Sequence, residues 1–114
     1  MKAKDVLKRA RKILERNWVK NSYREQKSNG RYCYCAAGAL FRASQLLKTG
    51  YNCPVHYNST DLNFYRQELH PPVQKAINIL NSIIPYKDIT VFNDDLDTTH
   101  KEILEVFDQA IKKA

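Results

Sequence analysis

The chain has 114 residues, 43% of them apolar and 27% charged, and a formal net charge of +7. That is one domain, residues 1–114, large enough to bury a core, and no apolar run nears the ~20 residues that a bilayer span requires. The charged pattern starting at Lys2 has no apolar signal core before it, so a cytoplasmic location and no membrane contact are expected.

Residues 1–31 hold eleven basic residues against three acids, a net charge of +8, whereas residues 32–114 are close to neutral. Within the basic part, residues 4–18 predict an amphipathic helix. Val6, Leu7, Ala10, Ile13, Leu14 and Trp18 recur at steps of three and four. Residues 19–30 read as a polar, basic loop containing the turn Ser28-Asn29-Gly30. Residues 31–34 alternate and suit a short strand. A second helix is expected over 36–48, opened by Cys35 and ended near Gly50.

Residues 51–60 read as a loop, and a short helix is expected from about Ser59–Asp61 to Leu69, stopped by His70-Pro71-Pro72. The next helix, 72–84, buries Val73, Ala76, Ile77, Leu80, Ile83 and Ile84. Asp88-Ile89-Thr90-Val91-Phe92 is β-branched and aromatic, which predicts a strand paired with 31–34 or with a second subunit. Asn93-Asp94-Asp95 reads as a turn. Thr99-His100-Lys101-Glu102 matches a capping box before an amphipathic helix over 99–112. The fold class is therefore mainly α, formally α+β. Four to five helices surround one core containing Trp18, Leu40, Ile77, Leu80, Ile103 and Phe107, with one or two short strands.

Three cysteines without a signal sequence point to a reducing compartment. Cys33, Cys35, Cys53 and His56 supply the ligand count of a structural zinc, but one residue between Cys33 and Cys35 is a poor zinc spacing. Cys35 at a helix start is also a candidate nucleophile, because a helix N-terminus stabilises thiolate. Its base would have to come from His56, His70 or His100, and no spacing identifies which. The favoured reading is a buried, structural Cys35, with His70 and His100 at the surface. Asp94, Asp95 and Asp97 suit a divalent cation or, preferably, a turn complementing the N-terminal dipole of the last helix. No phosphate-binding glycine loop and no hydrolase or zinc-protease signature occurs, and no cofactor is expected.

Two stretches carry a resemblance. Cys35-Ala36-Ala37-Gly38-Ala39-Leu40 opens a helix, and Val91-Phe92-Asn93-Asp94 precedes Thr99, Glu102, Ile103, Leu104 and Ala110. Following an amphipathic helix that ends near Trp18, this order resembles a small uncharacterised family of phages and actinobacteria. Its members carry a Cys-x-x-Gly-Ala-Leu helix start and a Trp-Asn-Asp turn before a Thr-capped helix. Phe92 stands where that family tends to have Trp, and Cys33 and Cys53 are additions to its pattern. The resemblance spans most of the chain and implies a phage or mobile-element setting, with no activity to carry over.

The function expected is a small basic binding protein, an accessory factor whose ligand is anionic: a nucleotide, a nucleic acid or an acidic host-protein surface. Candidate ligand residues are Lys20, Tyr23, Arg24, Lys27, Arg31 and Tyr32, with Asn93 and Asp94 of the later turn. Aromatic rings among cations can stack a base while Arg and Lys hold phosphate. A cysteine-dependent hydrolase or transferase using Cys35, and an inhibitor of a host enzyme acting through the same basic face, are the alternatives. A homo-oligomer is compatible with each.

Overall fold

In the computed structural model, which describes residues 2–22, 24–44 and 71–114, the elements follow in the order α1 (Ala3–Arg16), β1 (Arg24–Gln26), β2 (Tyr32–Tyr34), α2 (Ala36–Ala43), α3 (Pro71–Ile83), α4 (Ile89–Asp94) and α5 (His100–Lys113). The architecture is mainly α with one two-stranded antiparallel sheet, formally α+β, as expected. The expected loop 51–60, the short helix to Leu69 and residues 45–48 of the second helix lie outside the described residues.

The periodic stripe of α1 decides the packing. Val6, Leu7, Ala10 and Leu14 are fully buried, and the helix packs against α2, α3 and α5. α2 is buried from Ala36 to Phe41 with no break, and its run of small side chains lies on α1. α3 and α5 close the core with Val73, Ile77 and Leu80 from one and Ile103, Phe107 and Ala110 from the other. Trp18 packs on this core half-buried. The capping box of α5 forms as the sequence predicts: Thr99 Oγ1 accepts the Glu102 N–H at 3.2 Å, and Glu102 accepts the Thr99 N–H at 3.0 Å.

Two expectations are corrected. Residues 89–94 form helix α4, and the expected strand over 88–92 does not occur. Asp88 caps this helix by accepting the Thr90 N–H at 2.9 Å, and Asn81 Oδ1 accepts the Ile89 N–H at 2.8 Å. Ile89, Thr90, Phe92 and Asn93 are buried while Val91 is 45% exposed, a pattern at steps of three and four that fits one face of a helix and breaks the alternation of a strand. Strand propensity here yields to the cap and to the core.

The strand at 32–34 does exist, but its partner is β1, from the stretch read as loop. The register pairs Arg24 with Tyr34, Glu25 with Cys33 and Gln26 with Tyr32. Its turn is closed by Lys27 N–H to Arg31 O at 2.8 Å and Gly30 N–H to Lys27 O at 2.9 Å. Gly30 sits at φ +85°, which glycine adopts without strain. On its other edge β2 makes a parallel bridge to Trp18, with Val19 N–H on Tyr34 O at 3.0 Å and Tyr34 N–H on Asn17 O at 2.6 Å. The short sheet is thus sewn to the end of α1.

Phe107 is fully buried between α1 and α3. Phe107→Ala is expected to lower unfolding stability by about 3–5 kcal/mol, read as a lower urea midpoint with an unchanged slope.

Candidate functional site

The amide of Asn93 joins segments that are far apart in sequence. Its Oδ1 accepts Trp18 Nε1–H at 2.7 Å and the Ala36 N–H at 3.0 Å. Its Nδ2 donates to Val19 O at 3.2 Å and to Asp94 Oδ1 at 2.9 Å. A carboxamide offers two acceptor and two donor positions, and all four are engaged in a fully buried side chain. The side-chain amide of Asn93, expected as a ligand group, is therefore fully engaged within the fold.

Its neighbours extend the same tie. Asp94 Oδ1 also accepts the Asn21 N–H at 2.7 Å, with Asn21 in the left-handed region at φ +66°. Lys20 lies 5.7 Å from the Trp18 ring centre and donates Nζ to the carbonyls of Asp95 and Leu96. Asp95 accepts the Asp97 N–H at 2.8 Å and the Tyr86 hydroxyl at 3.0 Å. Those bonds and the nearby Lys20 charge hold the Asp95 carboxyl below the usual carboxylate range, and Asp95 in turn raises Tyr86. Trp18 also stacks on His100, with ring centres 5.2 Å apart and planes 9° from parallel. His100 Nε2 meets the Leu14 carbonyl; a carbonyl only accepts, so this nitrogen carries the hydrogen. His100, expected at the surface, is half-buried because it fills the gap between Trp18 and the end of α1.

The thiol of Cys35 caps α2: Sγ accepts the Gly38 N–H at 3.4 Å, and the residue is 2% exposed. Its own N–H donates to Ser22 O at 3.2 Å. Cys33 is buried in β2. Cys53 and His56 of the zinc alternative, and His70, lie outside the described residues. Among the described residues no three His, Cys, Asp or Glu side chains come together as a metal site.

The outward surface carries the charge. On α1, Lys8, Arg9, Lys12 and Arg16 are exposed. Lys8, Lys12 and Arg16 follow one another at i, i+4, a row with about 5–6 Å between successive Cβ atoms. The acids of the segment are otherwise occupied. Asp5 holds the first turn of α1 through the Lys2 N–H, Glu15 pairs with Arg11, and Glu25 pairs with Lys27 at 2.9 Å. Arg11 spans Glu15 and Asp108 of α5, which raises its pKa above the ordinary value, chiefly through the Asp108 hydrogen bond. Glu25 likewise raises Lys27.

The hairpin adds a second group. The Arg24 guanidinium lies over the Tyr32 ring at 4.5 Å, a diagonal cross-strand pair, and Tyr32 is 40% exposed. Arg31 and Lys27 flank the exposed turn. Tyr23 lies outside the described residues. Of the expected ligand residues, Arg24, Lys27, Arg31 and Tyr32 therefore share the hairpin, whereas Lys20, Asn93 and Asp94 meet in the internal tie. The α1 row was not among the expected ligand residues; its signal was the i, i+4 spacing of Lys8, Lys12 and Arg16 opposite the apolar stripe.

The chain belongs to the family of unknown function DUF6197, whose family model matches residues 1–113. The uncharacterised family that the resemblance implied is consistent with this membership. No curated protein and no solved structure matches the chain.

Asn93→Ala strands the buried donors of Trp18 and Ala36, and a loss of about 1–3 kcal/mol for each is expected in chemical denaturation followed by Trp18 fluorescence. Asn93→Asp restores the acceptor but sets a carboxylate against Asp94, so it should recover only part of that loss at neutral pH. At Cys35 the cap dictates a different order. Cys35→Ala should cost about 0.5–2 kcal/mol and Cys35→Ser less, because serine keeps an acceptor. Iodoacetamide should modify Cys35 only as the protein unfolds; rapid labelling of the folded chain would show an activated, accessible thiol instead.

Proposed function

We propose that this chain is a small binding protein that engages an extended polyanion, the phosphate backbone of a nucleic acid, through the outer face of α1 and the β1–β2 hairpin. One observation carries the reading. The three acids of the basic segment are each held by a partner within the fold, while Lys8, Arg9, Lys12 and Arg16 face solvent together. Glu15 and Glu25 are matched by Arg11 and Lys27, so these four exposed cations of α1 outweigh the remaining acid, Asp5, and that face keeps a net attraction for anions. A row of charges repeated turn by turn suits a repeating polyanion better than a single nucleotide. It makes phosphate contacts, which position a nucleic acid without reading its bases. The Arg24–Tyr32 pair on the hairpin supplies a planar surface for an unpaired base.

The setting that accompanies this reading is a phage or mobile element acting in the cytoplasm of a host cell, where such a protein serves as an accessory factor. An acidic surface of a host enzyme would meet the same face. Catalysis by Cys35 has less to support it, since the thiol is buried and its sulfur caps α2.

Fluorescence anisotropy with labelled single-stranded and duplex oligonucleotides tests the proposal, with poly-glutamate as the acidic-protein probe. Binding should weaken steeply with salt. Each phosphate contact removed should lower the log–log slope by about 0.7 on single strands and 0.9 on duplex. Reversing Lys12 and Arg16 to Glu should weaken binding far more than reversing Lys87 and Lys112, which removes the same formal charge. Tyr32→Ala should cost about 1–3 kcal/mol on single strands and little on duplex. Equal effects of the two reversals would reduce the face to a general charge effect, and capture of poly-glutamate without oligonucleotide binding would point to a protein partner.

A further inference from the structure

The turn between α4 and α5 presents Leu96 95% exposed, the most exposed large apolar side chain among the described residues. The turn is fixed from several sides. Thr98 N–H donates to Asp95 O at 3.1 Å and Asp97 N–H to Asp95 Oδ1 at 2.8 Å. Lys20 holds the carbonyls of Asp95 and Leu96, and Tyr86 holds the Asp95 carboxylate. Leu96 thus projects from a rigid backbone between Asp95 and Asp97, and docking it requires little further ordering.

A groove of about 570 Å³ lies elsewhere, with Ala3, Pro71, Pro72 and Ile79 supplying apolar surface and Lys2, Lys4 and Lys75 supplying cations. Its chemistry complements the turn: an apolar floor for a leucine and three lysines for the flanking aspartates. The two features cannot meet within one molecule. α1 and α5 run antiparallel, since His100 sits against Leu14, Asp108 pairs with Arg11, and Ala114 lines the groove with Lys2 and Ala3. The groove is therefore at one end of this helix pair and the Leu96 turn at the other, separated by the length of α1, about 21 Å.

We infer that copies of this chain associate head to tail, the Asp95-Leu96-Asp97 turn of one seated in the lysine-rimmed groove of the next. Such a contact is heterologous and leaves one free turn and one free groove on every assembly that does not close into a ring. The contact is small and belongs to the weak class of interfaces, strengthened by opposite charges and weakened by salt.

Sedimentation velocity on the full chain, without oligonucleotide, from about micromolar to about millimolar concentration tests it. The average mass should rise with concentration past that of a dimer. Leu96→Ser and, separately, the double variant Lys4→Glu/Lys75→Glu should each weaken association about tenfold or more. All three positions are exposed, and circular dichroism should show folded variants. Mixing the two variants is the decisive arm. The first keeps an intact groove and the second an intact turn, so the mixture should associate again but stop at one-to-one pairs. A wild-type chain that stays monomeric throughout overturns the inference and leaves the groove to a different partner. Association that survives either variant, or a mixture that stays monomeric, overturns it as well. Leu96→Ser leaves every α1 cation in place, so oligonucleotide binding is read separately on that variant, whereas Lys4 continues the i, i+4 row of Lys8, Lys12 and Arg16 and its reversal should also lower oligonucleotide binding.

Discussion

A single buried carboxamide ties together three of the described segments at the edge of the helical core. Asn93 accepts from Trp18 and Ala36 and donates to Val19 and Asp94, so the end of α1, the start of α2 and the end of α4 share one centre. An amide removed from water without partners is costly, and one with every position satisfied is stable only in a single geometry. The tie therefore imposes a unique placement on segments that apolar packing alone would leave free to slide. Two consequences follow outward. With the Ala36 N–H bonded to Asn93, the Cys35 sulfur satisfies the Gly38 N–H, one of the orphan amides of the α2 N-terminus. With Val19 and Trp18 fixed, β2 gains a second edge partner and the hairpin projects from a rigid base.

The same tie explains why the basic segment divides in two. Lys20 is drawn inward to the carbonyls of Asp95 and Leu96, and its charge helps the Asp95 carboxylate remain ionised. The remaining cations stay outside because α1 turns its apolar stripe to three neighbouring helices at once, which leaves only the opposite face for solvent. Arg11, at the border of those faces, links α1 to α5 through Asp108. A surplus of positive charge would repel itself in a compact chain, and engaging the few acids locally keeps the surplus on one surface.

The helices were legible because their signals are local and mutually consistent. The stripes of α1, α3 and α5 repeat at the helical period, and the Thr99–Glu102 box marks the start of α5 within four residues. The Asp88–Phe92 stretch misled because its β-branched residues carry strand propensity. The competing signal, Asp88 as a cap before buried Ile89 and Phe92, becomes decisive only when Asn81 and the core are placed against it. The hairpin was half legible. Residues 32–34 alternate visibly and Gly30 marks the turn, but Arg24-Glu25-Gln26 has no apolar face to announce a strand. Its pairing comes from the turn geometry and from the anchored second strand.

By itself the sequence determined the class of the fold, the stripes that form the core and the concentration of positive charge in the first 31 residues. All three depend on composition and on spacings of three or four, which survive without knowledge of neighbours. Tertiary structure alone decided which polar residues face inward. Trp18 meets Asn93 across 75 positions, Arg11 meets Asp108 across 97, and His100 meets Leu14 across 86. No local pattern encodes such a pair, because each partner is chosen by where the core brings the backbone. Hence Asn93 and Lys20, which read in sequence as ligand groups, became internal ties, and the row Lys8, Lys12, Arg16 kept the solvent.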